Sequence, residues 1–253
     1  MDQVLTIDDV LKSKVYVNEK GGVNFHSPRQ YIEPFLEKFK NINGVQYDVK
    51  ASGSVVNKEE DDTVNVAYGR IGVKVTFPDE YRPNKDHSSV VGMVYALDIA
   101  KPVMKVYSGE DADACLNLCI FGAQYFHSAE ILAGTANIYE RAELYIDGIQ
   151  EQLSEFQKIY EKLNDRQYKG KEIDEVMGHI LRASYANKFI GTNPVLAALK
   201  DLENPKSVYA IKEDSTSAWN IYSAMTQYIT DKVDIAEKPT KTVMVSNLFH
   251  SSF

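Results

Sequence analysis

The sequence predicts an α+β fold in which a helix is followed by an antiparallel sheet and then by a helical region. Apolar residues recur at helical spacing before residue 43, alternate with polar ones between residues 45 and 107, and return to helical spacing after residue 128. The chain has 253 residues, of which 44% are hydrophobic, enough for one large domain or two small ones.

A first helix is predicted over residues 27–42. Ser27 is a favourable N-cap, Pro28 suits the first helical position, and Gln30 completes the spacing of a capping box. Pro34 lies inside this stretch and is expected to kink the helix. The apolar stripe of the helix consists of Tyr31, Ile32, Phe35, Leu36, Phe39 and Ile42.

A meander of four to five antiparallel strands is predicted next, because the connections are too short for helical crossovers. Alternation of apolar and polar residues marks strands at 45–51, 63–77, 91–99 and 103–107. The apolar positions change parity around Gly69, which predicts a β-bulge or a sharp bend. Residues 115–121 form a further apolar run that periodicity alone does not assign.

A helical region is predicted from about residue 128. Its longest element runs from Ile138 to Leu163, and we expect this helix to pack across the sheet. Three shorter helices are expected around residues 173–181, 193–202 and 219–229. The last residues show no helical period. The predicted units are therefore 1–127 for helix and sheet, 128–235 for a helical region of the same domain, and 236–253 for an extended apolar tail.

Composition excludes several classes of protein. Sixteen tyrosines and ten phenylalanines exclude a disordered chain. The sequence has no stretch of about 18 uncharged apolar residues, so no membrane-spanning helix is predicted. Two cysteines cannot form a disulfide scaffold, and the acidic N-terminus lacks the features of a signal peptide, so a cytoplasmic protein is predicted. The net charge of −8 is unlike that of a typical double-stranded-DNA-binding domain.

Familiar catalytic motifs are absent from the sequence. It contains no phosphate loop, no dinucleotide-binding glycine motif, and neither the zinc-protease nor the hydrolase signature. Cys115, Cys119 and His127 lack a fourth ligand, and the two thiols would lie about 13 Å apart on a strand, so no metal site is predicted. The histidines have no nucleophile at recognisable spacing. The sequence therefore predicts a protein that is not an enzyme and needs no cofactor.

Basic and aromatic residues between positions 68 and 107 form the candidate binding site. Cations that follow a nucleic-acid backbone, with aromatic rings on which bases stack, are what single-strand binding requires. The predicted nucleic-acid-binding residues are Arg70, Lys74, Tyr81, Arg82, Lys85, Lys101, Lys105 and Tyr107. The alternative is an ordinary sheet face on which lysines extend over tyrosines that cover the core. The binding prediction requires these cations to lie together and not each beside a carboxylate.

Three short motifs occur in an order that resembles a known family. A strand with Tyr95-Ala-Leu-Asp98 precedes a hairpin, the segment Cys115-Leu-Asn-Leu-Cys119-Ile-Phe-Gly122, and a later helix with Trp219-Asn-Ile-Tyr222-Ser-Ala-Met-Thr-Gln-Tyr228. This order resembles the phage/plasmid-like family of unknown function. The segment Cys119-Ile-Phe-Gly122 lacks the Asn of that family, and Ser223 and Gln227 replace its usual Asn and Glu. The resemblance implies a phage or mobile-element origin. The architecture is also similar to that of phage single-strand annealing proteins of the Red-beta and Erf type.

Together these features predict a non-enzymatic, phage-encoded protein that binds single-stranded DNA and promotes annealing in recombination or replication. We expect a homo-oligomer that acts in the host cytoplasm, with no membrane contact. The alternative is a phage accessory protein that binds a host or phage protein, as a structural component or as an inhibitor of a host system. The negative net charge and the apolar C-terminal residues favour this alternative.

Overall fold

The computed structural model describes residues 3–13, 27–58, 64–97, 102–112, 117–121, 126–130, 140, 144, 146–186 and 190–252. The described chain has the α+β fold that the sequence predicts, with N-terminal helices, an antiparallel sheet and C-terminal helices. None of its helices is both long enough and apolar enough to cross a membrane.

The main sheet has seven strands among the described residues, where four to five were expected. They are β1 (Gln3–Leu5), β2 (Gln46–Lys58), β3 (Val64–Thr76), β4 (His87–Ala96), β5 (Val103–Ala112), β6 (Asn117–Cys119) and β7 (Phe126–Glu130). The strands from β1 to β5 follow one another across the sheet, and β6 and β7 pair with different parts of β5. A separate ribbon pairs β8 (Gln167–Lys169) with β9 (Ser215–Ser217).

Of the α-helices among the described residues, two lie between β1 and β2 in sequence and the others follow β7. They are α1 (Ile7–Lys12), α2 (Pro28–Glu37), α3 (Ile149–Asp165), α4 (Lys171–Ala186), α5 (Asn193–Glu203), α6 (Ala218–Lys232) and α7 (Lys238–Ser252). A short 3₁₀ helix at Asp79–Tyr81 connects β3 to β4. The start of the predicted long helix, from Ile138, lies largely outside the described residues.

Helix α2 begins where its N-terminal signals predict and ends early. The Ser27 hydroxyl accepts a hydrogen bond from the Arg29 amide at 3.3 Å, and Pro34 lies inside the helix. The regular helix stops at Glu37, whereas the sequence predicts residue 42. The backbone then continues in tighter turns, since the amide of Phe39 donates to the carbonyl of Leu36 at 3.0 Å.

One face of the sheet, here the inner face, is apolar. Its side chains are Val49, Ala51, Ile71, Val73, Val75, Val91, Met93, Tyr95, Met104 and Val106. Val10 of α1, Ile32 and Phe35 of α2, and Ile149 and Leu153 of α3 pack in the same cluster. Helix α3 thus packs on the sheet through its first half, as expected. Its second half joins the cluster of the C-terminal helices.

The opposite face, here the charged face, carries Asp48, Lys50, Arg70, Lys74, Lys105 and Tyr107 among smaller residues. It is covered by residues 234–252, the C-terminal segment, which includes α7. Ala236 and Val243 of this segment form a small cluster with Val94, Ala96 and Tyr107. The sheet is therefore covered on both sides, by different elements.

The bulge predicted near Gly69 is not present in the β2–β3 pairing. Ser52 pairs with Arg70 and Ser54 with Tyr68, so the register is the same on both sides of Gly69. Tyr68 and Ile71 differ in parity, yet both belong to the inner-face cluster.

The predicted extended tail is a helix, α7, and this part of the prediction is wrong. Val245 and Phe249 pack with the C-terminal helices, whereas Val243 packs over the charged face. Because its apolar residues point to two different clusters, α7 has no single apolar stripe from which the sequence could predict it. The sheet also extends past the predicted boundary at residue 127, since β7 ends at Glu130.

Candidate nucleic-acid interface

Four of the eight predicted site residues lie on one face of the sheet. Arg70 and Lys74 of β3 and Lys105 and Tyr107 of β5 all belong to the charged face, because alternate residues of paired strands share a side. Lys101 lies outside the described residues. The alternation seen in the sequence therefore places these four residues together.

Tyr81, Arg82 and Lys85 lie elsewhere, in the connection from β3 to β4. The Tyr81 ring packs on Phe77 with centroids 5.6 Å apart, at the edge of the inner-face cluster. Arg82 faces the Asp79 carboxylate at 3.2 Å and donates to the backbone carbonyl of Lys85 at 3.1 Å. Lys85 is exposed. These three residues do not form one surface with the charged face, contrary to the prediction.

Each predicted cation of the charged face has an acidic neighbour. The Arg70 guanidinium lies 2.6 Å from the Asp234 carboxylate. Lys74 forms an ion pair with Asp111 and lies 4.0 Å from Asp48. The Lys105 ammonium donates to the carbonyl of Ala236 and lies 3.3 Å from Glu237. The open cationic ridge that the sequence predicts is thus neutralised at these positions.

Tyr107 is not available for stacking, and this part of the prediction is wrong for the present structure. Its side chain is only 7% exposed, and its ring lies directly over Gly92. A Cβ atom at residue 92 would lie 2.1 Å from Cζ of the ring, so the close approach requires glycine. Burial, followed by the nearby Asp111 and Asp48 carboxylates, raises the pKa of the Tyr107 hydroxyl, which therefore remains protonated.

A cleft of about 90 Å³ separates the charged face from the C-terminal segment. Polar groups of both signs line it, together with apolar walls. The polar side chains are those of Asp48, Lys50, Lys74, Tyr107, Asp111, Thr230, Lys238 and Thr242, and the walls include Val94, Leu118, Ile229 and Ile235. Convergent polar groups on an apolar surface are the lining of a small-ligand site, and the volume of this cleft is smaller than the about 300–1,000 Å³ of typical ones.

The Lys74–Asp111 pair lies at the sheet side of this cleft. Burial raises the pKa of the Asp111 carboxyl, and the Lys74 ammonium opposes that shift by stabilising the ionised form. The Asp111 side chain is almost fully buried, whereas that of Lys74 remains partly exposed. The cleft therefore has a fixed internal charge pair and a more exposed cation, Lys50, at its rim.

Sequence reasoning missed two cations of the cleft, Lys50 and Lys238. Lys50 alternates with Asp48 along β2, and its register partner is Gly72 of β3, so the same alternation that identified Arg70 was available as a signal. Lys238 starts α7, within the segment that was predicted as a tail. The sequence carried no local signal for its position.

His87 lies in an aromatic cluster between the sheet and the helices. Its ring centroid is 5.0 Å from that of Phe156, 5.1 Å from that of Tyr160 and 5.3 Å from that of Trp219. Burial lowers the pKa of His87 to about 4, so the ring is neutral at neutral pH. Nδ1 then donates to Oδ1 of Asn84 at 2.7 Å. Among the described residues, Nε2 is buried and has no hydrogen-bond partner.

The cysteine and histidine positions considered for a metal give no site within the described residues. Cys119 is buried and packs in the cluster of the C-terminal helices, while Cys115 lies outside the described residues. A search of the described side chains finds no group of three or more His, Cys, Asp or Glu residues arranged to hold a metal ion.

Comparison with protein families, with curated proteins and with solved structures finds no match to this chain. The resemblance to the phage/plasmid-like family, and the similarity to annealing proteins, therefore stay predictions that rest on the sequence motifs. The geometry of the charged face and its cleft is the basis for a functional proposal.

Proposed function

We propose that the protein binds single-stranded DNA, without catalysis, in the cleft between the charged face and the C-terminal segment. The observation that carries this proposal is the combination of lysines from β2, β3 and α7 with apolar walls in one cleft. A nucleotide has the matching chemistry, because it joins an anionic phosphate to a flat, largely apolar base. Lys50, Lys238 and Arg70 would contact phosphates, and the walls would contact a base.

The ion pairs of the charged face do not meet the condition set from the sequence, that the cations should not each lie beside a carboxylate. The proposal therefore requires a phosphate to displace a carboxylate. The side chains of Arg70 and Asp234 are 27% and 35% exposed, and pairs this exposed contribute only about 0–1 kcal/mol to stability. A phosphate can therefore replace the Asp234 carboxylate beside Arg70 at small cost. The Lys74–Asp111 pair is more buried and is expected to stay intact, so its role is to shape the cleft.

The biological setting in this proposal is a phage-encoded annealing factor in the cytoplasm of the host. Such a protein needs no cofactor, since base pairing between the two strands supplies the driving force. A homo-oligomer would present several clefts to one strand and so raise the avidity for it.

The proposal is tested by titrating a fluorescently labelled oligonucleotide and following its anisotropy at about 50 and 200 mM salt. Binding should weaken as salt rises, with a log–log slope of about −0.7 for each phosphate neutralised. The double variant Lys50→Gln/Arg70→Gln should bind more weakly and with a shallower slope. The matched control, Lys158→Gln/Lys162→Gln on α3, changes the net charge equally and should bind as the parent protein does. Absence of binding at 50 mM salt contradicts the proposal.

A protein partner is the second candidate function, and one observation favours it. Tyr185 at the end of α4, Leu196 of α5 and Val208 after α5 are 79%, 44% and 69% exposed. Exposed aromatic and aliphatic side chains are typical anchors of protein interfaces. Affinity capture from host lysate with the parent protein and with Tyr185→Ser/Val208→Ser separates the candidates. A protein-binding role predicts one polypeptide that the variant loses, whereas the proposed DNA-binding role predicts recovered nucleic acid with both.

A further inference from the structure

We infer that residues 234–237 form an autoinhibitory strap, in which the carboxylates of Asp234 and Glu237 occupy the places beside Arg70 and Lys105 that DNA phosphates would take. This inference rests on the proposed function and concerns its regulation. The strap is the connection between α6 and α7, and it crosses the charged face from β3 to β5.

The first contact of the strap is on β3. Asp234 lies 2.6 Å from the Arg70 guanidinium, within charge-assisted hydrogen-bond distance. Asp234 also accepts a hydrogen bond from the amide of Ala236 at 2.9 Å, which fixes the turn of the strap. Oδ1 of Asp234 is thus engaged by the backbone and Oδ2 faces the guanidinium, in the place that a phosphate oxygen would take.

The middle of the strap, Ile235, packs against Gly72 of β3. Ile235 projects over Gly72, and a Cβ atom at residue 72 would lie 2.7 Å from Cδ1 of Ile235 and 3.1 Å from its Cγ1. The absence of a side chain at residue 72 therefore gives the strap its place on the sheet. Ile235 also forms part of the wall of the cleft, so the strap borders the cleft as well as contacting Arg70 and Lys105.

The last contact is on β5. The Lys105 ammonium donates to the carbonyl of Ala236 and faces Glu237 at 3.3 Å, and the Lys105 side chain is buried under the strap. Burying a lysine is costly unless its charge is compensated. The carbonyl and the carboxylate supply that compensation in the closed form. In the open form, phosphate oxygens supply it, so closed and open forms compete for the same cation.

The strap is tested first with Asp234→Asn/Glu237→Gln, which keeps the shape of both side chains and removes their charges. Its dissociation constant for the labelled oligonucleotide at 50 mM salt should fall by about three- to thirtyfold, the range expected for two partly exposed ion pairs. The log–log salt slope should steepen by about 0.7, because Lys105 becomes available to a phosphate in addition to Arg70, which the parent protein already uses.

The matched control is Asp174→Asn/Glu175→Gln, two exposed acids on α4 that give the same change in net charge. A tighter complex with the strap variant than with this control supports the inference. Equal affinities overturn the strap and leave the proposed function in place. If neither variant nor the parent protein binds the oligonucleotide, the proposed function fails and the strap with it.

A second experiment locks the strap shut. The variant Gly72→Cys/Ile235→Cys is designed to form a disulfide, which requires Cβ atoms about 3.5–4.5 Å apart. Cγ1 of Ile235, the atom bonded to its Cβ, would lie 3.1 Å from a Cβ atom at residue 72. Oxidation should weaken binding by about tenfold or more, and a reductant should restore it. The single variant Gly72→Cys is the control for added bulk, and mass spectrometry checks the bond. Equal binding by the oxidised and reduced forms overturns the inference.

Discussion

The two faces of the same sheet are covered in physically different ways. The inner face meets α1, α2 and α3 through apolar side chains, and Phe35 and Met93 are fully buried there. The charged face meets the C-terminal segment through ion pairs, such as Arg70–Asp234, around a small cleft. Apolar side chains lose their stabilising contacts when they are exposed to water, whereas the cation of an exposed ion pair can bind a different anion in place of its carboxylate. The difference therefore assigns stability to the inner face, and it is to the charged face that the proposed function assigns binding.

The largest effect is expected on the inner face. Phe35→Ala removes a fully buried ring and leaves a cavity, which should lower the free energy of unfolding by about 4 kcal/mol. Urea denaturation followed by circular dichroism measures this change. Leu196→Ala, on the exposed side of α5, is the control and should change it by less than about 0.5 kcal/mol. Similar losses for both variants would contradict the assignment of the core.

The next effect is expected where the charged face is most buried. Lys74→Met leaves the Asp111 carboxylate without its partner, and the free energy of unfolding should fall by about 3 kcal/mol. The double variant Lys74→Met/Asp111→Leu removes both charges and should recover most of this loss. Denaturation of the three proteins under the same conditions gives the comparison. A double variant no more stable than Lys74→Met would show that packing, not charge, dominates here.

A smaller effect depends on pH and lies at the junction of sheet and helices. The pKa of His87 is about 4 in the folded state and about 6.5 when unfolded, so the unfolded chain binds the extra proton between these values. His87 therefore contributes stability above pH 6.5 that is lost as the pH falls through 4. The loss at pH 5 should be about 2 kcal/mol. Denaturation at pH 7 and pH 5 should show this loss in the parent protein and not in His87→Phe.

The smallest effect is expected at the exposed pair of the charged face. Arg70→Gln breaks the contact with Asp234 and should change the free energy of unfolding by no more than about 1 kcal/mol. The double variant Arg70→Gln/Asp234→Asn should change the free energy of unfolding by a similarly small amount. Thermal denaturation of both variants measures these changes. A loss as large as that of Phe35→Ala would place the charged face among the stabilising contacts and remove the contrast between the two faces.

Alternation made most of the sheet predictable from the sequence. Val73 and Lys74 of β3 differ in character because they point to opposite faces, and this contrast is visible in any alternating strand. Helix α7 was not predictable in the same way. Val243 and Val245 reach different clusters, so no periodic stripe exists to be recognised.

The site was predictable only in part, for a related reason. Arg70 and Lys105 share a face through local alternation, which a sequence shows. Their acidic neighbours Asp234 and Glu237 come from beyond α6, and Lys105 is separated from Glu237 by 132 positions. No local pattern connects groups that far apart. The burial of Tyr107 likewise depends on a strand register that brings it opposite Gly92.

The contact between Tyr107 and Gly92 has a consequence for selectivity. The Tyr107 ring lies against the backbone of Gly92, because residue 92 has only a hydrogen atom as its side chain, and the same ring lines the cleft. A Cβ atom at residue 92 would displace the Tyr107 ring and so change the shape of the cleft beside Lys50. Under the proposed function, a side chain at residue 92 would therefore change the room that the cleft offers to a nucleotide base.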